Sequence, residues 1–207
     1  MGTSGRQTQN EYFTPVNLVF VLINLIVFFV LSAKGDTTNA EFMYHHGAMF
    51  PHSVIYGHEY YRLFTSAFLH FDTSHLLNNL IMLFFLGSYL EHAIGKFRYI
   101  IFYVLACIGS SMVSTGWMIH TGSYAVSGGA SGAIFGIIGG LLAILVKNRG
   151  HYRGIAIQRL LLMIALSIFY GFSTAGVDNA EHVGGLIVGF VLGLLLYWKK
   201  LAPQTVS

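Results

Sequence analysis

The chain has 207 residues, 55% of them hydrophobic and only 9% charged, with a mean hydropathy of +0.64. A soluble domain covers its surface with about a quarter charged residues, so this composition excludes an ordinary water-soluble fold and points to a chain solvated by lipid. The net charge of +3 is small, and no basic stripe interleaved with aromatics marks a nucleic-acid surface, so nucleic acid is not an expected partner.

Windows of about 20 apolar residues read as membrane-crossing helices. Residues 1–14 are polar and read as a flexible N-terminal tail. The first span is expected over 16–33, just after Pro15. No small-residue cleavage site stands behind it, so it reads as a retained span and not a removed signal peptide. Residues 34–73 form the longest connection. It carries Phe42, Met43, Tyr44, Met49, Phe50, Tyr56, Tyr60, Tyr61, Phe64 and Phe68, which suggests a structure lying in the outer membrane interface, where amphipathic rings are favoured. An ordinary extracellular loop is the plainer alternative. Five more spans are expected at 74–90, 99–119, 129–146, 156–173 and 182–198. Short loops join the third to the sixth, so residues 15–200 read as one six-helix transmembrane domain, all-α, followed by a short tail over 201–207.

Orientation follows from the basic residues. With the N-terminus in the cytoplasm, Arg6, Lys96, Arg98, Lys147, Arg149, Arg153, Arg159, Lys199 and Lys200 lie inside, and only Lys34 and Arg62 lie outside. Nine against two is a strong positive-inside bias and predicts both termini inside. The single cysteine, Cys107, falls mid-span and reads as a small core residue.

In that topology spans two, four and six all begin on the outer side. Span two opens with His75-Leu-Leu-Asn-Asn79, span four with Gly129-Ala-Ser131-Gly132, and span six with Glu181-His182-Val-Gly-Gly185. Polar side chains inside a membrane are costly and usually face a partner or a wet cavity. His75 and Asn79 are four apart and share a helix face. Gly132, Gly136 and Gly140 on span four, and Gly185, Gly189 and Gly193 on span six, are doubled small-xxx-small stripes that let two helices approach closely. If the stripes face each other, Ser131 and His182 come within hydrogen-bond reach. A helix start leaves backbone N–H groups unpaired, and these, with Asn79 and His75, could stabilise an oxyanion. Ser131 as nucleophile and His182 as general base complete a set for acyl transfer.

Each residue also has a plain reading. Ser131 alone is a small packing residue, the glycines alone are packing motifs, His182 alone could make a structural hydrogen bond, and His75 and Asn79 could simply tie helices together. Joint placement on three helices at one depth favours chemistry. A soluble-hydrolase elbow would need glycine where Ala133 stands. Asp178 and Glu181 have the spacing of a helix-capping box, so a Ser–His pair is expected instead of a triad. A metal site is not expected: His45, His46, His52, His58, His70 and His75 cluster early in the chain without companion carboxylates at membrane depth. Proton-coupled transport would want acidic groups mid-membrane; Glu91, the one candidate, is expected to pair with Lys96 or Arg98 at the inner end of span two.

Taken together, these residues resemble the rhomboid family of intramembrane serine proteases over about 56–200. The resemblance rests on the His-x-x-x-Asn of span two, the Gly-x-Ser-Gly of span four and the His with following small residues on span six, in order, together with the stretch YYRLFTSAFLHFDTSH. Here Tyr61 stands where the family commonly has tryptophan, and Arg62 is retained. The resemblance implies a serine endopeptidase without cofactor or metal. Ser131 would be its nucleophile, His182 its base, and His75, Asn79 and the Ser131 N–H its oxyanion hole, with Gly129 part of the serine motif. Phe135 occupies the place of a tyrosine that stacks on the histidine. It implies single-span membrane-protein substrates. The short loops and the apparent lack of a targeting segment suggest a multi-pass protein of a bacterial plasma membrane, the polar cluster at the outer helix ends suggests a site open to the extracellular side, and Gly171, Gly176 and the run Ser-Thr-Ala-Gly suggest a mobile gate over 174–181. A non-catalytic relative that binds membrane helices without cutting them is the other class, but such relatives usually lose the serine or the histidine.

Overall fold

The computed structural model describes residues 13–174 and 176–198. The tail 201–207, residues 1–12 of the N-terminal tail, and Arg6, Lys199 and Lys200 lie outside the described residues. Among the described residues the fold is all-helical apart from one two-strand hairpin. Helix α1 spans Pro15–Ser32, with Pro at its start, where a missing N–H costs nothing. Glu91 accepts hydrogen bonds from the backbone N–H of Val16 at 3.3 Å and of Asn17 at 2.7 Å. This corrects the expected pairing with Lys96 or Arg98: in a buried setting the carboxylate goes to the unpaired N–H groups of a helix start.

The second span is longer and less regular than expected. It runs through α5 (Thr73–Met82), a π-helical turn over Leu83–Gly87, and α6 (Ser88–Ile94). The π turn leaves carbonyls that Asn17 takes up, its Nδ2 donating to Leu83 O at 2.9 Å and Phe84 O at 3.1 Å. Tyr99 donates its hydroxyl to Asn17 Oδ1 at 2.7 Å. One polar knot thus joins three helices.

The chain then turns at Gly95, whose φ of +86° suits glycine, into α7 (Lys96–Thr121). Next come α8 (Ser131–Lys147), the antiparallel strands β1 (His151–Tyr152) and β2 (Ile155–Ala156), α9 (Ile157–Ser173) and α10 (Asn179–Leu196). Among the described residues three helices, α1, α7 and α10, are long and apolar enough to cross a membrane. The helices α8 and α9 are apolar but shorter, at 17 residues each.

Helix α8 is the centre of the bundle, buried at 13 of its 17 positions. The two glycine stripes do face each other. A Cβ on Gly185 or Gly189 would drive into the carbonyl oxygen of Gly132 or Gly136, and one on Gly193 would lie 2.8 Å from Gly140 Cα. The same close approach recurs against α7, where a Cβ on Gly184 would lie 2.6 Å from Val113 Cβ. Helix α9, by contrast, buries only Leu160, Ile164 and Gly171 and leaves Phe169, Tyr170 and Phe172 exposed.

The long connection is a folded unit. It contains α2 (Ala40–His45), α3 (Pro51–Ile55), α4 (Arg62–Thr65) and a 3₁₀ turn over Ser66–Phe68. Arg62 is buried at its centre. Its Nη1 donates to Tyr44 O at 2.6 Å and Ala48 O at 2.8 Å, its Nε to Glu59, and its guanidinium sits 4.4 Å from the Tyr44 ring centre. The Arg62 hydrogen bond holds the Glu59 carboxyl below its usual pKa. The aromatic segment divides by role: Met43 and Met49 are fully buried, whereas Tyr56, Tyr60 and Tyr61 stay exposed.

Candidate active site

The end of the loop before α8, from Ser127 on, is fixed before it delivers Ser131 to the first helical position. Met49 and Ser127 exchange backbone hydrogen bonds at 2.9 Å each way. Gly129 N donates to Ser66 O at 2.9 Å, and Ala130 N donates to His70 Nε2 at 3.3 Å. His70 is 1% exposed. Burial, and secondly the neighbouring His75, lower its pKa to about 3, so it is neutral at physiological pH and Nε2 is free to accept.

At the head of α8 no side chain caps the helix, and the first intrahelical bond is Ile134 N to Ala130 O at 2.9 Å. The N–H groups of Ser131, Gly132 and Ala133 therefore have no carbonyl four residues back, and they carry the positive end of the helix dipole. Gly129 sits at φ +135°, where an L side chain is strained. A Cβ there would lie 2.7 Å from Cε1 and Nε2 of His75 and 3.5 Å from Asn79 Nδ2. The bare glycine lets the two α5 side chains come up to the serine loop. Asp72 caps α5 by accepting His75 N–H at 2.8 Å, which fixes where that helix begins. Asn79 is buried, and its Nδ2 has no hydrogen-bond partner among the described residues.

On α10, Asp178 accepts Glu181 N–H at 2.9 Å, which is half of the capping box read from the sequence; instead of returning to the helix start, the Glu181 carboxyl accepts from Ser111 and Ser127 on other elements. The next residue, His182, lies flat on Phe135 of α8, with ring centres 4.2 Å apart and planes at 10°. Its Nδ1 is buried without a hydrogen-bond partner among the described residues. Gly129, His75 and Asn79 thus meet at one point, and Phe135 and His182 meet one helical turn further along α8. Ser131 stands between the two groups in sequence and is partly exposed. No hydrogen bond joins Ser131 to His182 among the described residues. The expected hydroxyl–imidazole bond is not formed, while the stack on Phe135 holds the ring beside the first turns of α8. In enzymes such bonds are often long until substrate closes the site.

Three features escape sequence reasoning. His70 entered it only as one of many histidines, and Ser66 and Ser127 not at all, because their partners lie far along the chain and leave no periodic signal.

Comparison with known proteins adds a family. A family model described as Rhomboid domain matches residues 57–199. The chain is 33% identical over 182 residues to Rhomboid protease GluP of Bacillus subtilis (strain 168), covering 88% of this chain and 35% of that protein. It is 35% identical over 151 residues to RHOMBOID-like protein 1 of Arabidopsis thaliana, covering 72% and 38%. It is 29% identical over 203 residues to Rhomboid protease AarA of Providencia stuartii, covering 86% and 71%. The chain spans a little over a third of the length of the first two of these relatives.

Proposed function

This chain belongs to the rhomboid family, and from that premise we propose that it is an intramembrane serine endopeptidase. It hydrolyses peptide bonds in or near transmembrane segments of single-span membrane proteins, through a Ser131–His182 dyad. The observation that carries this reading is the convergence at the head of α8. Gly129 brings His75 and Asn79 up to the serine loop, and Phe135, four residues after Ser131 on α8, stacks on His182 of α10. The names of the bacterial relatives GluP and AarA, both called rhomboid proteases, agree with it.

The chemistry follows from the groups present. His182 takes the Ser131 hydroxyl proton as the oxygen attacks the substrate carbonyl. The resulting oxyanion accepts hydrogen bonds from the Ser131 N–H, Asn79 Nδ2 and His75. The tetrahedral adduct collapses, the amine leaves with the proton from His182, and an acyl-serine remains. Water, deprotonated by His182, then releases the acid and restores Ser131. No step calls for a metal or cofactor. Asn79 Nδ2, buried and unpartnered, is the kind of donor such a step requires.

The protein is an integral membrane protein. In our reading α5–α6, α8 and α9 join α1, α7 and α10 to make six crossings. Both termini lie in the cytoplasm, and the site opens to the outer side of a bacterial plasma membrane. Substrate enters beside α9, which buries only Leu160, Ile164 and Gly171 against the rest of the bundle. A disulfide tying α9 to α5 is expected to abolish cleavage of a transmembrane reporter and to restore it on reduction. Unchanged turnover in the tied protein would remove α9 from the gate.

Gly129→Ala tests the site architecture. The added Cβ meets both an unfavourable φ and the His75 ring, so reporter cleavage is expected to fall about 10²-fold, as displacement of a catalytic group by ~1 Å does. The strained φ also lowers the melting temperature, so cleavage is compared per enzyme molecule that remains folded. Cleavage at the wild-type rate would separate His75 from the reaction.

The deciding experiment is reconstitution in liposomes with a reporter transmembrane segment, together with a fluorophosphonate that labels activated serines. Cleavage of the reporter, with label mapped to Ser131, is the expected result. Retention of the reporter without cleavage or labelling would favour a helix-binding protein instead.

A further inference from the structure

Behind the proposed dyad lies a second polar cluster that the reaction scheme does not use. Ser127 Oγ is 3.0 Å from Asp178 Oδ2 and 3.3 Å from Glu181 Oε2. Asp178 also accepts from Ser114 Oγ at 2.5 Å, and Glu181 accepts from Ser111 Oγ at 3.2 Å. Ser111, Ser114, Ser127 and Glu181 are all buried. Ser127 has one hydroxyl hydrogen and two carboxyl neighbours. The two contacts are met either by a three-centre bond from the one hydroxyl hydrogen or by a protonated carboxyl that donates to Ser127 Oγ. Glu181 is buried and Asp178 half-buried, and such a polar set is costly to bury unless it is satisfied; Ser111 and Ser114 of α7 supply further donors.

Position gives the cluster its meaning. Ser127 lies four residues before Ser131, and Glu181 immediately precedes His182. Glu181 also fills the space beside Gly132, where a Cβ would stand 2.7 Å from Oε1 and 2.8 Å from Cγ. The cluster therefore ties the serine loop and the first turn of α8 to the head of α10, with α7 as the common anchor. Resting on the protease reading above, we propose that Ser127, clamped between Asp178 and Glu181, is a positioning residue that sets the spacing of Ser131 and His182. The clamp acts through the backbone and touches neither substrate nor reacting atoms. It also compensates for the missing Ser131–His182 bond, because the two residues are registered by their supports.

The test uses the full chain in liposomes, with kcat counted per active site titrated by the fluorophosphonate. Ser127→Ala is expected to lower kcat about 10-fold with KM nearly unchanged, a small displacement costing rate and not binding. The labelling rate should fall in parallel. Ser127→Thr keeps the hydroxyl and is expected to restore both. A second pair guards against misfolding of the alanine variant. Glu181→Gln, whose amide can accept from or donate to Ser127, should keep most of kcat, and Glu181→Ala should lose it. If Ser127→Ala and Glu181→Ala lower only the melting temperature or the titratable fraction, with kcat per site intact, the clamp is structural and the proposal is overturned. Wild-type cleavage by Ser131→Ala would instead overturn the protease reading, whatever the Ser127 variants do.

Discussion

Ser131→Ala and His182→Ala, assayed against a transmembrane reporter in liposomes, are each expected to lower kcat by about 10⁴-fold or more, and the double variant no further. The reason is that nucleophile and base act as one unit. Without His182 the hydroxyl keeps its proton, and without Ser131 the imidazole has nothing to activate. What survives either change is the rest of the site: the free N–H groups at the head of α8 and Asn79 Nδ2, buried and unpartnered. These still stabilise developing charge when water attacks directly. Equal losses in the single and double variants would therefore support the dyad. If the two losses multiply, Ser131 and His182 act independently and the dyad is wrong. The stacking of His182 on Phe135, with rings 4.2 Å apart, leads us to expect that His182→Ala leaves the bundle folded, since Phe135 remains packed in α8.

How much of this was legible in the sequence depends on the range of the interaction. The glycine stripes were legible because helix periodicity puts residues four apart on one face, and a membrane offers few other reasons to repeat glycine there. The capping role of Asp178 was legible because it acts on Glu181, three residues away. Glu91 was misread for the same reason. Its spacing pointed to Lys96 and Arg98, while its partners, the N–H groups of Val16 and Asn17, lie about 75 residues earlier. The π turn at Leu83–Gly87 left no signature, because Asn17 from another helix and Tyr99 from a third make it tolerable. His70 and Ser127 belong with these: each acts on a backbone or carboxyl far along the chain, where no pattern of spacing reaches.

The glycine seam yields the largest expected effect on stability. At Gly189 a Cβ would sit 2.5 Å from Gly136 Cα and closer still to the Gly136 carbonyl oxygen. The obstacle is backbone, so no rotamer change relieves it, and α10 must move off α8. Overpacking where side chains can adjust costs about 1–3 kcal/mol; at this site Gly189→Ala is expected to reach or exceed the upper end, and Gly189→Leu to prevent a folded bundle. Gly116 is the control. It lies inside α7, and a Cβ added there would meet nothing within 4 Å, so Gly116→Ala should be neutral or stabilising by up to about 1 kcal/mol through helix propensity. Melting curves in detergent would compare the two. If Gly189→Ala melts with Gly116→Ala, α8 and α10 are not held at backbone contact. The heads of those helices carry Ser131 and His182, so the spacing proposed for the dyad would then lose its support. If Gly189→Ala unfolds while Gly116→Ala does not, the glycines serve contact between helices, and the chemistry at their outer ends depends on it.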